Sequence, residues 1–283
     1  GDIVFDLGMR LSDIAHQTML VRAETIADIH DAKRDGKIAF IPSLEAATPI
    51  ENEIDRLDVL YGLGIRCSGI AYSEANALGS GLREQRDGGL TALGHQAVKR
   101  MNKLGIAIDL SHASDQTSLD IIAASDRPVF VTHAGARALW DTKRMKPDTV
   151  LRACKERGGI IGISAAANTT LTYQRPRHSI ESVMEHFEYV AGLVGIDHVA
   201  FGPDIFFGDH VGMHRAFAKQ FSLAAARGSL RFEEVDYVDG IENPSESFPN
   251  LVRWLVTHGY SDGDIGKAIG GNVMRVLAEV WPR

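Results

Sequence analysis

Two textures of apolar residues alternate along this chain. Six short runs, rich in Ile, Val, Ala and Gly, each lead into a polar or charged residue: 37–44 (KIAFIPSL), 65–71 (IRCSGIA), 105–110 (GIAIDL), 128–132 (PVFVT), 159–164 (GIIGIS) and 198–202 (HVAFG). Between them lie segments whose apolar residues return every three or four positions, at 25–33, 50–63, 91–104, 147–157 and 179–194. A helix-length segment around Leu119, Ile121, Ile122 and Ala123 separates the runs at 105 and 128. The runs read as strands and the periodic segments as helices. Strands without polar alternation are those buried on both faces of a parallel sheet. The pattern therefore predicts an α/β chain of the (β/α)8 TIM-barrel type. A closed barrel needs more strands than these six. Residues 4–7 and 20–22 are weak candidates, so the first strand or strands are missing or divergent. Residues 1–283 read as a single barrel domain. Residues 205–247 show no clean period and read as an irregular insertion over the rim, and 248–283 as closing helices, with Gly270-Gly271-Asn272 as a turn between two of them.

In parallel α/β folds the ligand site forms at the carboxyl ends of the strands. The residues at those positions are Glu45, Tyr72, His112, His133, Ser164 and Asp204. One carboxylate and two imidazoles from three strands suit Zn²⁺ with an open position for water. Asp204, at the next rim position, is placed to move a proton. Structural alternatives stand beside each assignment. Glu45 could cap the following helix, Asp204 a loop, and Tyr72 could be a packed rim residue. His210 and His214, four apart, lack a glutamate and enclose Gly212, which points to a solvated loop rather than a metal helix. His16, His30, His95 and His258 read as surface residues.

Composition narrows the picture modestly. The 283 residues are 45% hydrophobic and 24% charged, with a formal net charge of −7 and no Lys/Arg block, which argues against a nucleic-acid partner. No apolar run reaches the roughly 18–20 residues that span a bilayer. Cys67 and Cys154 have no pairing logic, so a reducing, cytoplasmic setting is expected.

Several stretches together carry a family resemblance. They are SLEAA around Glu45, GLGIRCSGIAYSEAN, RDGGLTALGHQAVKRMNKLGIAIDLSHAS, PVFVTHAGARAL, LVGIDHVAFGPD and FPNLVRWLVTHGYSDGDIGKAIGGNVMRVLAEVW. In this order they resemble the renal (membrane) dipeptidase family of zinc metallopeptidases, over residues 24–282. The resemblance implies a (β/α)8 barrel that hydrolyses dipeptides, often with a D-residue at the carboxyl side, and in some members opens β-lactams. It also implies roles: Glu45 as a metal-bridging glutamate, His112 and His133 as ligands of one metal, Arg144 as the partner of the substrate carboxylate, and Asp204 as acid/base.

Three departures accompany it. The family's first strand carries a His-x-Asp pair for the other zinc, and none occurs near this amino end. Tyr72 stands where the family has a substrate-contacting histidine. IFFGD directly follows Asp204, where the family has a Phe-Asp-Gly type turn. Either a segment before Gly1 would carry the missing pair, or this is a divergent branch with one metal or none. The expectation is at most one tightly held transition metal, zinc at the one supported site, and a small-molecule substrate, a dipeptide or N-acyl amino acid, in a homodimer or higher homo-oligomer. Two other functions remain open. One is a non-peptidase amidohydrolase acting on an N-acyl amino acid, ester or lactone, with the Tyr72 hydroxyl polarising the carbonyl. The other is a metal-free, non-catalytic relative.

Overall fold

A computed structural model of the chain describes residues 2–205, 212, 216 and 231–281. It divides into two compact units. The first comprises Gly1–Gly81, Arg86–Pro128 and Met274–Arg283, and the second Leu82–Gln85 and Val129–Val273.

The first unit contains α1 (Asp2–Ala15), β1 (Leu20–Arg22), α2 (Ile26–Arg34), β2 (Ile38–Phe40), β3 (Ser43–Leu44), α3 (Arg56–Gly62), β4 (Cys67–Gly69), α4 (Ala92–Leu104), β5 (Ala107–Asp109) and α5 (Asp115–Ala124). β1 and β2 pair in parallel, as do β3 with β4 and β4 with β5. Three expectations are corrected here. Residues 4–7 are helix, not strand. The run 37–44 is two strands, broken where Pro42 removes a ladder donor. The helix expected over 50–63 is a 3₁₀ turn, Thr48–Ile50, followed by the shorter α3. Glu51 at φ 54 interrupts the helical path between them.

Arg66, just before β4, ties this unit together. Its Nη1 donates to Tyr61 O (2.8 Å), its Nε donates to Glu24 O (3.3 Å), and it forms an ion pair with the Glu24 carboxylate. The guanidinium lies 3.8 Å from the Tyr61 ring centroid, and Arg66 O accepts from Trp281 Nε1 at 3.3 Å.

The second unit contains β6 (Phe130–Ala134), α6 (Asp148–Glu156), β7 (Ile160–Ile163), α7 (Ile180–Val194), β8 (Val199–Phe201), α8 (Pro244–Thr257), α9 (Asp262–Gly266), a π-helical turn (Lys267–Gly271) and α10 (Asn272–Val280), whose later turns belong to the first unit. β6, β7 and β8 run parallel in chain order, and every residue of β7 is buried. Val183, Phe187 and Val190 of α7 are fully buried, and Phe187 stacks on Phe201 at 4.9 Å. Gly270-Gly271-Asn272 does more than turn the chain. Gly270 (φ 153) makes the kink, and Asn272 Nδ2 donates to Ile196 O (2.7 Å) and Val199 O (2.9 Å), which fixes the entry to β8. Of the insertion expected over 205–247, most lies outside the described residues, and so do His210 and His214.

Glycines set how closely these strands approach. A Cβ on Gly162 would sit 2.1 Å from Thr132 O, and one on Gly202 only 1.7 Å from it. Gly202→Ala should therefore destabilise the protein by roughly 3 kcal/mol or more, or prevent folding. Gly192→Ala, on α7 with open space around it, should be neutral or stabilising by up to about 1 kcal/mol. Thermal unfolding of both variants checks the contrast.

Candidate active site

In the first unit, Glu45 directly follows β3. Its backbone is held against β4, because Gly69 leaves room where a Cβ would lie 2.2 Å from Glu45 O. His112 follows β5, is buried, and points Nε2 at Glu45 Oε1 across 3.8 Å. That gap is too long for a hydrogen bond. Tyr72, after β4, stacks on the His112 ring with centroids 4.0 Å apart and planes at 20°. The stack limits how that imidazole can rotate.

The turn that delivers His112 is built from side chains that the sequence pattern did not flag. Asp109 Oδ1 accepts from Ser111 N (3.1 Å) and Ser111 Oγ (2.7 Å), which bends the chain just after β5. Asp87 accepts from Ser114 Oγ (2.6 Å) and from Gln116 N (2.8 Å), pinning its loop to the start of α5. Asn76 holds the loop after Tyr72 by donating to Ile70 O (2.8 Å) and accepting from Leu78 N (2.8 Å). Asp87 lies in the quoted RDGGL stretch and Asn76 in YSEAN, so the signal for both was present in those motifs.

In the second unit, His133 lies within β6 and is buried. Its Nδ1 and Thr132 Oγ1 are 2.6 Å apart. With Nδ1 donating to that hydroxyl, the ring keeps the Nε2 lone pair for a ligand. Asp204 follows β8 and takes φ 59, a left-handed conformation that costs most L-residues roughly 1–2 kcal/mol and that aspartate tolerates best. Aspartate and asparagine, after glycine, are the residues most often found there, and such an outlier is a reason to look for function. Arg144, nearly buried in the loop between β6 and α6, lies 3.6 Å through Nη2 from Asp204 Oδ2. Ser164 is buried after β7, and its backbone O accepts from Thr170 Oγ1 at 2.7 Å, a structural role.

Two further histidines of this unit are buried; in the sequence His178 only marks the start of α7, and His186 is not singled out. His178 Nδ1 accepts from Asn168 N (2.9 Å). Because the Thr170 hydroxyl donates to Ser164, His178 Nε2 must donate to Thr170 (2.9 Å). His186 Nδ1 accepts from Ala136 N (2.9 Å) and Nε2 donates to Leu171 O (2.7 Å). Both rings are therefore neutral Nε2–H tautomers. Burial lowers the pKa of His178 to about 3 and that of His186 to about 4. His186 shares the α7 face of Val183, Phe187 and Val190, so helical spacing alone would have placed it inside. His16, His30, His95 and His258 are exposed, as expected.

The description of the membrane dipeptidase family (peptidase family M19) fits residues 8–216 of this chain. The chain belongs to that family. It is 30% identical over 266 residues to dipeptidase aclJ of Aspergillus oryzae, covering 92% of this chain and 56% of that relative, so it spans about half of that relative's length. A solved amidohydrolase from Pseudomonas aeruginosa superposes with a TM-score of 0.86 at 29% identity, over 98% of this chain and 84% of the other. A metallopeptidase from Rhodobacter sphaeroides, solved with a phosphinate mimic of L-Ala-D-Ala, superposes with a TM-score of 0.79 at 23% identity, over 97% and 72%. The fold class expected from the alternating pattern, α/β of the (β/α)8 type, is that of these family neighbours. No helix among the described residues is long and apolar enough to cross a membrane.

The two neutral histidines make stability depend on pH. Each has a folded pKa below its ordinary 6.5, so below that pH the unfolded chain binds more protons than the folded one. The stability they allow is complete above pH 6.5 and is lost as pH falls through about 4 for His186 and about 3 for His178. The melting temperature should drop over that window, and His186→Asn, with no titrating ring, should show a shallower drop.

Proposed function

We propose that this member of the membrane dipeptidase family is a metal-dependent dipeptidase. Glu45, His112 and His133 would hold a divalent ion, zinc being the metal their chemistry suits. The observation that carries this reading is the donor set itself. Glu45 and His112 emerge at the carboxyl ends of β3 and β5 in the first unit, with Nε2 3.8 Å from Oε1, and His133 stands in β6 of the second. The Thr132 hydroxyl beside His133 Nδ1 supports the fit, since Nδ1 donating there would leave Nε2 as the acceptor.

When bound, zinc supplies Lewis acidity, lowering the pKa of water toward about 7 and polarising a carbonyl. This chain's residues do the rest. Arg144 pairs with the substrate's free carboxylate through its planar guanidinium. Asp204 accepts a proton from the attacking water and passes it to the leaving amine. The Tyr72 hydroxyl, beside the stacked His112, hydrogen-bonds the scissile carbonyl oxygen. Dipeptides with a D-residue at the carboxyl side fit within this reading, given the L-Ala-D-Ala mimic in the Rhodobacter neighbour. We extend the reading to a cytoplasmic homo-oligomer.

Two measurements test it. Elemental analysis of the purified protein should find one equivalent of zinc per chain, lost in His112→Ala. Two equivalents would reveal a second ligand set, and none after reconstitution with zinc would favour a metal-free relative. Arg144→Ala should raise KM for L-Ala-D-Ala by about tenfold or more, a loss of at least ~1.4 kcal/mol in binding. The same variant should change KM for the C-terminal amide little. Equal effects on the two substrates would sink the carboxylate assignment.

A further inference from the structure

The loop that carries Arg144 is built as a closed unit. It leaves β6 at Gly135, and Lys146 N donates back to Gly135 O (2.9 Å) while Arg137 N donates to Lys146 O (2.9 Å). Inside it, Arg137 Nε donates to Thr142 O (3.2 Å) and Met145 O (3.1 Å), and its Nη2 donates to Met145 O (2.7 Å). The carbonyls on either side of Lys143 and Arg144 are thus held by one guanidinium.

One side chain from outside the loop holds it from two directions. His186 on α7 accepts from Ala136 N, at the loop's neck, and donates to Leu171 O. Leu171 packs in a buried cluster with Trp140 and Met145, both of which belong to the Arg144 loop. Gly135 admits the ring, since a Cβ there would lie 2.6 Å from Nδ1. An apolar residue of similar size would fill the space but would leave a buried N–H and a buried C=O unmet.

We propose that His186 is a positioning residue for Arg144, fixing the loop that presents the guanidinium to the anionic end of the substrate. The inference rests on the assignment of Arg144 to the substrate carboxylate. It requires the neutral ring, because a protonated Nδ1 would set a donor against the Ala136 donor. Burial keeps the ring neutral at ordinary pH.

Steady-state kinetics of L-Ala-D-Ala and its C-terminal amide, with Arg144→Ala alongside, test the proposal. His186→Leu is expected to raise KM for the free dipeptide about tenfold. Its kcat, and its KM for the amide, should stay within about twofold of the parent. His186→Asn places an acceptor oxygen near the position of Nδ1, and it should recover most of the loss. Amide exchange at Ala136 should be faster in the leucine variant than in the asparagine one. If the leucine variant does not fold, His186→Gln, which reaches Leu171 O but not the Ala136 amide, takes its place with the same expected loss. Equal losses on both substrates, or no loss in a folded variant, would overturn the proposal. Should Arg144→Ala fail to distinguish acid from amide, the carboxylate assignment itself falls. Should Arg144→Ala discriminate and the His186 variants not, only the role of His186 is lost.

Discussion

The site residues of both units depend on how closely backbone can approach backbone at the carboxyl ends of parallel strands. Gly69 lets β4 press against the Glu45 carbonyl, and Gly162 and Gly202 let β7 and β8 close on the carbonyl of Thr132, the residue before His133. In each case a methyl group would overlap the oxygen, so the strands would have to separate and shift Glu45 or His133 with them. Glycine is ordinarily a weak choice inside a strand. Here it sets the position of the candidate site residues, and β7 itself is all isoleucine and glycine and fully buried.

Polar satisfaction then orients what the strands position. The chain repeatedly uses a side chain to take up a backbone group that a turn has left without a helical or strand partner. Asp109 does this after β5, Asp87 at the start of α5, Asn76 after Tyr72, and His178 and His186 in the loops of the second unit. Buried donors and acceptors must find partners, so each of these bonds selects one loop conformation over others. The two histidines are the strictest case, because both ring nitrogens are committed and only the neutral tautomer fits.

Much of the fold was legible from pattern alone. The alternation of β-rich runs with helical periods gave β4 to β8 and α4 to α7 with boundaries off by a few residues, and it put Glu45, Tyr72, His112, His133 and Asp204 just at or beyond the ends of their strands. The amino end was less legible for physical reasons. In α1, Val4, Phe5 and Met9 are exposed, so their apolar character did not mark a buried strand. In 37–44 the period continued through Pro42 although the hydrogen-bond ladder could not. The supporting residues were the least visible, because Asp, Asn and His in loops look the same whether they face solvent or hold a buried amide.

The pairing of Arg144 with Asp204 joins these themes to function. A guanidinium taken almost entirely out of water needs an anion nearby, and Asp204 supplies one at 3.6 Å, longer than a close ion pair. On the proposed function the same two groups have different tasks, one binding a carboxylate and the other moving a proton. An arriving substrate carboxylate would give the guanidinium a closer bidentate partner and leave Asp204 less neutralised. On that reading the Arg144 loop acts through affinity for the free carboxylate, and Asp204 is left to move the proton.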